Sequence, residues 1–205
     1  MSRFSRVPHA LLGADVGLSS IKLVELRLVG ARYVVAHCAV EPLRKDWVLE
    51  SGIAQMNEVV QALRRAVKRS GSQLDQVALA LPASAVITRR IVLPLALTEQ
   101  ERELQVEVEA AHYIPYPLED VCLDFCPTQS TQLANGDQEL MIVAARRDRL
   151  QQCIDLAQAA GLRPVVVEVQ PHAACLALIR MMSQSYAATG GGGGAAACSL
   201  LGVDS

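Results

Sequence analysis

Leu11-Leu12-Gly13-Ala14-Asp15-Val16-Gly17-Leu18-Ser19-Ser20-Ile21-Lys22-Leu23-Val24-Glu25-Leu26 is the run from which the rest of the chain is best understood. An apolar stretch is broken by an acid, a glycine and two serines, and a second apolar stretch follows at once. Two strands joined by a tight polar turn explain that pattern. Gly17 has no Cβ, so the turn backbone can approach a ligand closely. Exposed N–H groups and the Ser19 and Ser20 hydroxyls then form a cradle for an anion, and Lys22 adds a compact positive charge. Asp15 suits the water shell of a magnesium ion, which prefers hard oxygen ligands and keeps several waters. The other reading is an ordinary hairpin with a polar turn. Neither a P-loop nor a dinucleotide fingerprint fits, because both need a helix after the glycines.

The chain of 205 residues is 51% hydrophobic and 20% charged, which places it among globular proteins with ample core. A net charge of −2 and the lack of any basic block argue against nucleic acid as a partner. Aromatic residues are only 3%, so the core must be aliphatic and alanine-rich. No apolar run reaches the length of a membrane span, and no signal-peptide pattern follows Arg3 and Arg6. A cytosolic protein is expected. The cysteines are Cys38, Cys122, Cys126, Cys153, Cys175 and Cys198, mostly among apolar neighbours. Without a Cys-x-x-Cys pair or a nearby histidine pair, they read as reduced thiols rather than zinc ligands.

Further along, a turn at Gly30-Ala31 returns the second strand through Tyr33-Val34-Val35 toward Pro42. Ile53, Met56, Val60, Leu63 and Val67 recur at helical spacing over about 53–70, before a stop at Gly71. Arg64, Arg65, Lys68 and Arg69 on the opposite side read as a solvated face. Val77–Leu81 and Val86–Leu93 read as strands. Thr98-x-x-Glu101 is a capping box that opens a helix to about Tyr113. Leu104, Val108 and Ala111 are taken as its apolar stripe. The prolines in Ile114-Pro115-Tyr116-Pro117 then break the helix.

An alternating strand follows over Val121–Phe125, then a turn at Asn135-Gly136 and an apolar, central strand over Leu140–Ala145. Asp148 opens a helix that ends at Gly161, Val165–Val169 is a buried strand, and His172–Met182 a packed helix. Gly190–Gly194 and the flanking alanines make residues 183–205 a flexible tail by composition. The expected class is α/β, of the α+β kind. Residues 11–83 and 170–182 would form a first subdomain, interrupted by an inserted α+β subdomain over 84–169.

Leu12-Gly13-Ala14-Asp15 through Lys22-Leu23-Val24-Glu25-Leu26, Ala66-Val67-Lys68-Arg69-Ser70-Gly71, and Tyr113-Ile114-Pro115-Tyr116-Pro117-Leu118-Glu119-Asp120-Val121 together resemble one family. It is the PilM family of type IV pilus assembly proteins, actin-like ATPase homologues similar in architecture to the division protein FtsA. Val40-Glu41-Pro42-Leu43 and Ser84-Ala85-Val86-Ile87-Thr88 look like the family pattern too. The likeness runs from about Leu11 to Met182.

The resemblance implies an actin-like, ribonuclease-H-like first subdomain with an inserted one. It assigns Asp15, Gly17, Ser19, Ser20 and Lys22 to a first phosphate loop for ATP with magnesium. It implies an adaptor at the cytoplasmic face of the inner membrane, held there only through its partner. That partner would be the amino-terminal segment of the membrane protein PilN, bound in a groove between the two subdomains. Tyr113 and Tyr116 either line the groove mouth or only end a helix and pack within their subdomain.

Family members are longer and carry a second lobe with another phosphate loop and the adenosine pocket. This chain ends at Gly202-Val203-Asp204-Ser205, where that lobe would begin. It is therefore expected to hold half a nucleotide site, to bind ATP weakly and not to hydrolyse it alone. The alternatives are a nucleotide-dependent enzyme, either an ATPase or a sugar-kinase-like phosphotransferase, and an adaptor of a related secretion or division machine. For the enzyme no base or water-positioning residue is recognisable, and His112 and His172 lie in apolar helices.

Overall fold

A computed structural model describes residues 10–128 and 136–188, with side chains as far as Met182. Strands β1 (Leu12–Val16), β2 (Ser20–Val29) and β3 (Arg32–Pro42) come first, then the two-residue strands β4 (Val48–Leu49) and β5 (Gly52–Ile53). Helix α1 (Met56–Ser70), strands β6 (Gln76–Leu81) and β7 (Val86–Pro94) and helix α2 (Glu99–Tyr113) follow. Strands β8 (Val121–Pro127) and β9 (Asp137–Arg146), helix α3 (Arg147–Ala159), strand β10 (Arg163–Val169) and helix α4 (Gln170–Ala188) complete the described chain. The mixed α/β class expected from the sequence is the one observed.

The chain divides into two compact units. One holds residues up to Ala85 together with Asp148–Pro171. Its five-stranded sheet has the order β10-β6-β1-β2-β3. β1 runs antiparallel to β2 and parallel to β6, and β6 runs parallel to β10. Leu12, Ile21, Val59, Leu63 and Val77 are fully buried together, and Leu156 and Ala157 of α3 join the same core. Each buried leucine, isoleucine or valine stabilises the unit by about 1.5–3 kcal/mol through the apolar area it removes from water.

Glu41 is buried in this unit and accepts a hydrogen bond from Arg65 Nε at 2.7 Å, with Arg69 Nη2 2.9 Å from its other oxygen. Arg64 donates to the Ala159 carbonyl and Arg69 to that of Val40. The arginines read as a solvated face therefore tie α1 to β3 and to the end of α3. The signal was the burial of Glu41, which periodicity does not reveal.

The other unit holds Val86–Arg147 and the described residues from His172 onward. Its sheet is antiparallel, with β9 between β7 and β8. Ile91, Leu93, Leu140 and Ile142 pack there against Val106 and Ala110 of α2.

Several boundaries differ from the sequence reading. The inserted subdomain does not run to residue 169, because β10 pairs with β6 in the five-stranded sheet and α3 packs in that sheet's core. A strand–helix–strand order cannot say which sheet the last strand joins. The Val165-Val166-Val167 run suits a parallel strand, but β10 is the edge of its sheet and is only half-buried, with Val165 exposed, rather than the buried strand expected. The helix expected in 170–182 groups with the three-stranded unit from His172 onward.

Ile53 is not in α1: it pairs with Val48 across a turn in which Gly52 stands at φ 133, and the helix begins after Gln55. Residues 183–188 are helical rather than tail, since nothing before Gly190 breaks a helix. The rest of the expected tail, residues 189–205, lies outside the described residues, as does Asn135 of the expected turn.

Candidate functional site

The register of β1 on β2 sets Asp15 directly opposite Lys22. Both lie on the sheet face away from Leu12 and Leu23, because successive side chains alternate across a strand. Lys22 Nζ donates to Asp15 Oδ2 at 2.9 Å, with the lysine side chain 56% and the aspartate 30% exposed. Gln170 Nε2, from the first residue of α4, donates to the other carboxylate oxygen at 2.9 Å. The acid is thus held between a cation seven residues away and an amide 155 residues away. No spacing rule points to Gln170, and the sequence reading missed it.

The turn between the strands uses its own groups differently from expectation. The Gly17 N–H donates to the Ser20 carbonyl at 3.0 Å, so it is not available to an anion. A Cβ at Gly17 would sit 3.4 Å from that carbonyl, an ordinary contact. The close approach thus closes the turn itself, with no ligand required. The Ser19 carbonyl accepts from the Leu43 N–H at 2.8 Å and pins the turn to the end of β3. Ser19 is exposed and Ser20 half-exposed. The two hydroxyls and the Lys22 ammonium stay on the side open to a ligand.

An exposed ion pair contributes only about 0–1 kcal/mol, so an arriving phosphate could draw Lys22 away from Asp15 at little cost. For a metal, Asp15 is one carboxylate. Among the described residues, no group of three or more His, Cys, Asp or Glu side chains is placed to hold an ion. That donor set fits a magnesium ion held through its water shell and not one enclosed by protein ligands.

Beside the turn, an open depression of about 670 Å³ is lined by Pro42, Leu43, Arg44, Trp47, Glu58 and Arg65. Arg44 stands 5.9 Å over the ring of Trp47, the sole tryptophan of the chain. Tryptophan and arginine are the residues on which binding surfaces most often depend. In the sequence Pro42-Leu43 stands out only by its family likeness, which does not point to a depression there.

Tyr113 and Tyr116 lie in the other unit and are half-exposed, at 47% and 42%. Each has a guanidinium over its ring: Arg89 of β7 at 5.1 Å from Tyr113, and Arg146 at the end of β9 at 5.4 Å from Tyr116. The two prolines and the Asp120 N–H to Pro117 carbonyl bond hold the segment between them in one conformation. The structure therefore keeps both rings at the surface, with a cation on each. Burial pushes the Cys153 thiol up, against the opposing pull of Arg149.

The family model described as type IV pilus assembly protein PilM matches residues 13–191. Among solved structures, the chain is 31% identical to a chain of a PilM–PilN type IV pilus biogenesis complex, with a TM-score of 0.75. That match covers 85% of this chain and 51% of the other, so the chain spans about half the length of that relative. It is 16% identical, with a TM-score of 0.50, to the cytoplasmic domain of EpsL, an inner-membrane component of the type II secretion system of Vibrio cholerae. Coverage there is 78% and 57%, and the likeness is one of fold. A Bacteroides thetaiotaomicron protein with an actin-like ATPase fold and unknown function is 11% identical, with a TM-score of 0.39 over 90% and 60%.

Proposed function

Because the chain belongs to the type IV pilus assembly protein PilM family, we propose that it is an assembly adaptor of the pilus machine. It works by holding the amino-terminal segment of a PilN-like membrane protein at the cytoplasmic face of the inner membrane. The observation that carries this reading is the match to a chain solved in complex with PilN, at 31% identity and a TM-score of 0.75. Among the described residues no helix is long and apolar enough to cross a membrane. An adaptor held in place by a partner needs none.

Tyr113 and Tyr116 support the reading chemically. A rigid Pro-Tyr-Pro turn presents aromatic faces without much ordering entropy still to lose, and the paired arginines add donors for a peptide's carbonyls or acids. The Asp15–Lys22 turn is proposed as the first phosphate loop of an actin-like site, with Ser19, Ser20 and Lys22 toward phosphate and Asp15 toward the water shell of magnesium. Bound magnesium would supply neutralisation of phosphate charge. The protein groups supply donors on one open face, so the affinity of this chain for ATP is low.

Calorimetric titration of the intact chain with a synthetic peptide from the start of a PilN-like protein tests the adaptor reading. Saturable binding is expected, and its weakening in Tyr116→Ala would place that ring in the contact. A folded chain that takes up no peptide would sink the proposal. Sub-micromolar ATP binding with turnover, both lost in Asp15→Ala, would favour an enzyme instead.

A further inference from the structure

A cavity of about 50 Å³ lies between the β4–β5 hairpin, the carboxyl ends of β1 and β6, and the first turns of α3. All of these belong to the unit of the five-stranded sheet. Val16, Val48, Ile53, Leu79, Leu81 and Leu156 make most of its wall apolar. Its polar side comes from Arg149, Gln152 and Cys153, which share one face of α3 because they stand three and four residues apart.

The Arg149 guanidinium is only half satisfied there. Nη2 donates to the Glu50 carbonyl at 2.6 Å, while Nη1 is buried and meets no acceptor among the described residues. No carboxylate among those residues pairs with it either. A Cβ on Gly52 would collide with Nη1 and stand 2.7 Å from Gln152 Oε1. Glycine at this position, at φ 133, is therefore what lets the guanidinium reach the cavity. A buried donor without an acceptor is costly, and more so when it carries charge.

We propose that the cavity is a binding site for a small aliphatic carboxylate, which accepts from Arg149 Nη1 and lays its alkyl chain against the leucine and valine walls. The guanidinium calls for a charged acceptor, with which it makes its strongest bonds. The walls call for a ligand that has nothing of its own to donate. A water molecule would accept from Nη1 but then turn its two hydrogens toward apolar side chains, whereas a well-held water has roughly two to four polar partners. Phosphate has the charge but no part that suits the walls. The volume matches about four water-sized atoms, which limits the chain to roughly three to five carbons. This inference rests on neither the partner reading nor the nucleotide reading.

Cys153 lines the cavity and reports on it. Alkylation of the full 205-residue chain by iodoacetamide, mapped by mass spectrometry in the presence of acetate, butyrate or octanoate, tests the proposal. Butyrate should slow the reaction at Cys153, with half-protection at about 1 mM, the scale that so few atoms allow. The exposed Cys38 should be unaffected. Acetate, two methylene groups shorter, should need roughly tenfold more, and octanoate, too long for the cavity, should do no better than acetate. Arg149→Met keeps the stem, removes the donors and should abolish the protection. Should that variant lose its circular dichroism, butyramide on the unaltered chain repeats the test. It has the shape of butyrate without the charge and should protect at least roughly tenfold less. Protection that no acid gives, that grows steadily with chain length, or that butyramide or folded Arg149→Met gives equally overturns the proposal.

Discussion

Helices α1 and α2 are the same length, 15 residues, and use it in opposite ways. α1 buries Val59, Val60, Ala62, Leu63 and Ala66 and spends its arginines on β3 and α3. α2 buries only Val106 and Ala110. Leu104 and Val108, the stripe that the sequence reading turned inward, stand 64% and 54% exposed. The correction has a simple cause. α2 carries two sets of apolar residues at i, i+4 spacing, Leu104/Val108 and Val106/Ala110, and each alone satisfies helical periodicity. The inward set, Val106 and Ala110, is the one that packs with Ile91, Leu93, Leu140 and Ile142. Periodicity shows that a stripe exists. Where two compete, packing chooses between them.

The contrast can be broken by substitution. The largest effect belongs to Leu63→Ala in α1, where a fully buried side chain leaves a cavity. Urea unfolding should lose about 2–5 kcal/mol. A loss below that range would mean that the core of the larger unit is less tightly filled than its burial indicates.

Thr98→Ala comes next. Thr98 and Glu101 form a complete capping box at the start of α2, and removing such a cap costs about 0.5–2 kcal/mol. This one also has a pH signature. Hydrogen bonds from the Thr98 backbone N–H, and then from its hydroxyl, hold the Glu101 carboxyl below the ordinary glutamate value. A depressed folded-state pKa stabilises above the ordinary value, and the contribution is lost as pH falls through the folded one. The three-stranded unit should therefore weaken on acidification, and less so in Glu101→Gln. Equal acid sensitivity in that variant would remove the capping box as the cause.

The smallest effect sharpens the comparison most. Leu104→Ala should change stability by less than about 0.5 kcal/mol, the usual size for an exposed site. A loss like that of Leu63→Ala would show that the outward stripe is covered after all.

Some of the architecture was plain in the sequence because it is local. The β1–β2 turn, the capping box, the Gly71 stop and the central place of the Leu140–Ala145 strand each follow from neighbours in the chain. What was hidden depends on contacts between distant residues. The membership of β10 in the five-stranded sheet, the Glu41–Arg65 pair and the bond from Gln170 to Asp15 are of this kind. At the candidate site the nearness of Asp15 and Lys22 follows from the hairpin itself, since strand register places them opposite one another. The occupation of the Gly17 N–H by the Ser20 carbonyl was not legible, because a closed turn and an open anion cradle share the same residue types. Trp47 and Arg44 escaped notice because a lone aromatic in a loop has no period to betray it.

Hydrogen exchange of the intact chain, with and without a peptide from the amino-terminal segment of a PilN-like protein, tests the adaptor claim most directly. The account predicts slower exchange in the segment Tyr113–Val121 when the peptide is present, with the central strands β1, β6 and β9 unchanged. Exchange that is the same throughout the chain at saturating peptide would contradict it.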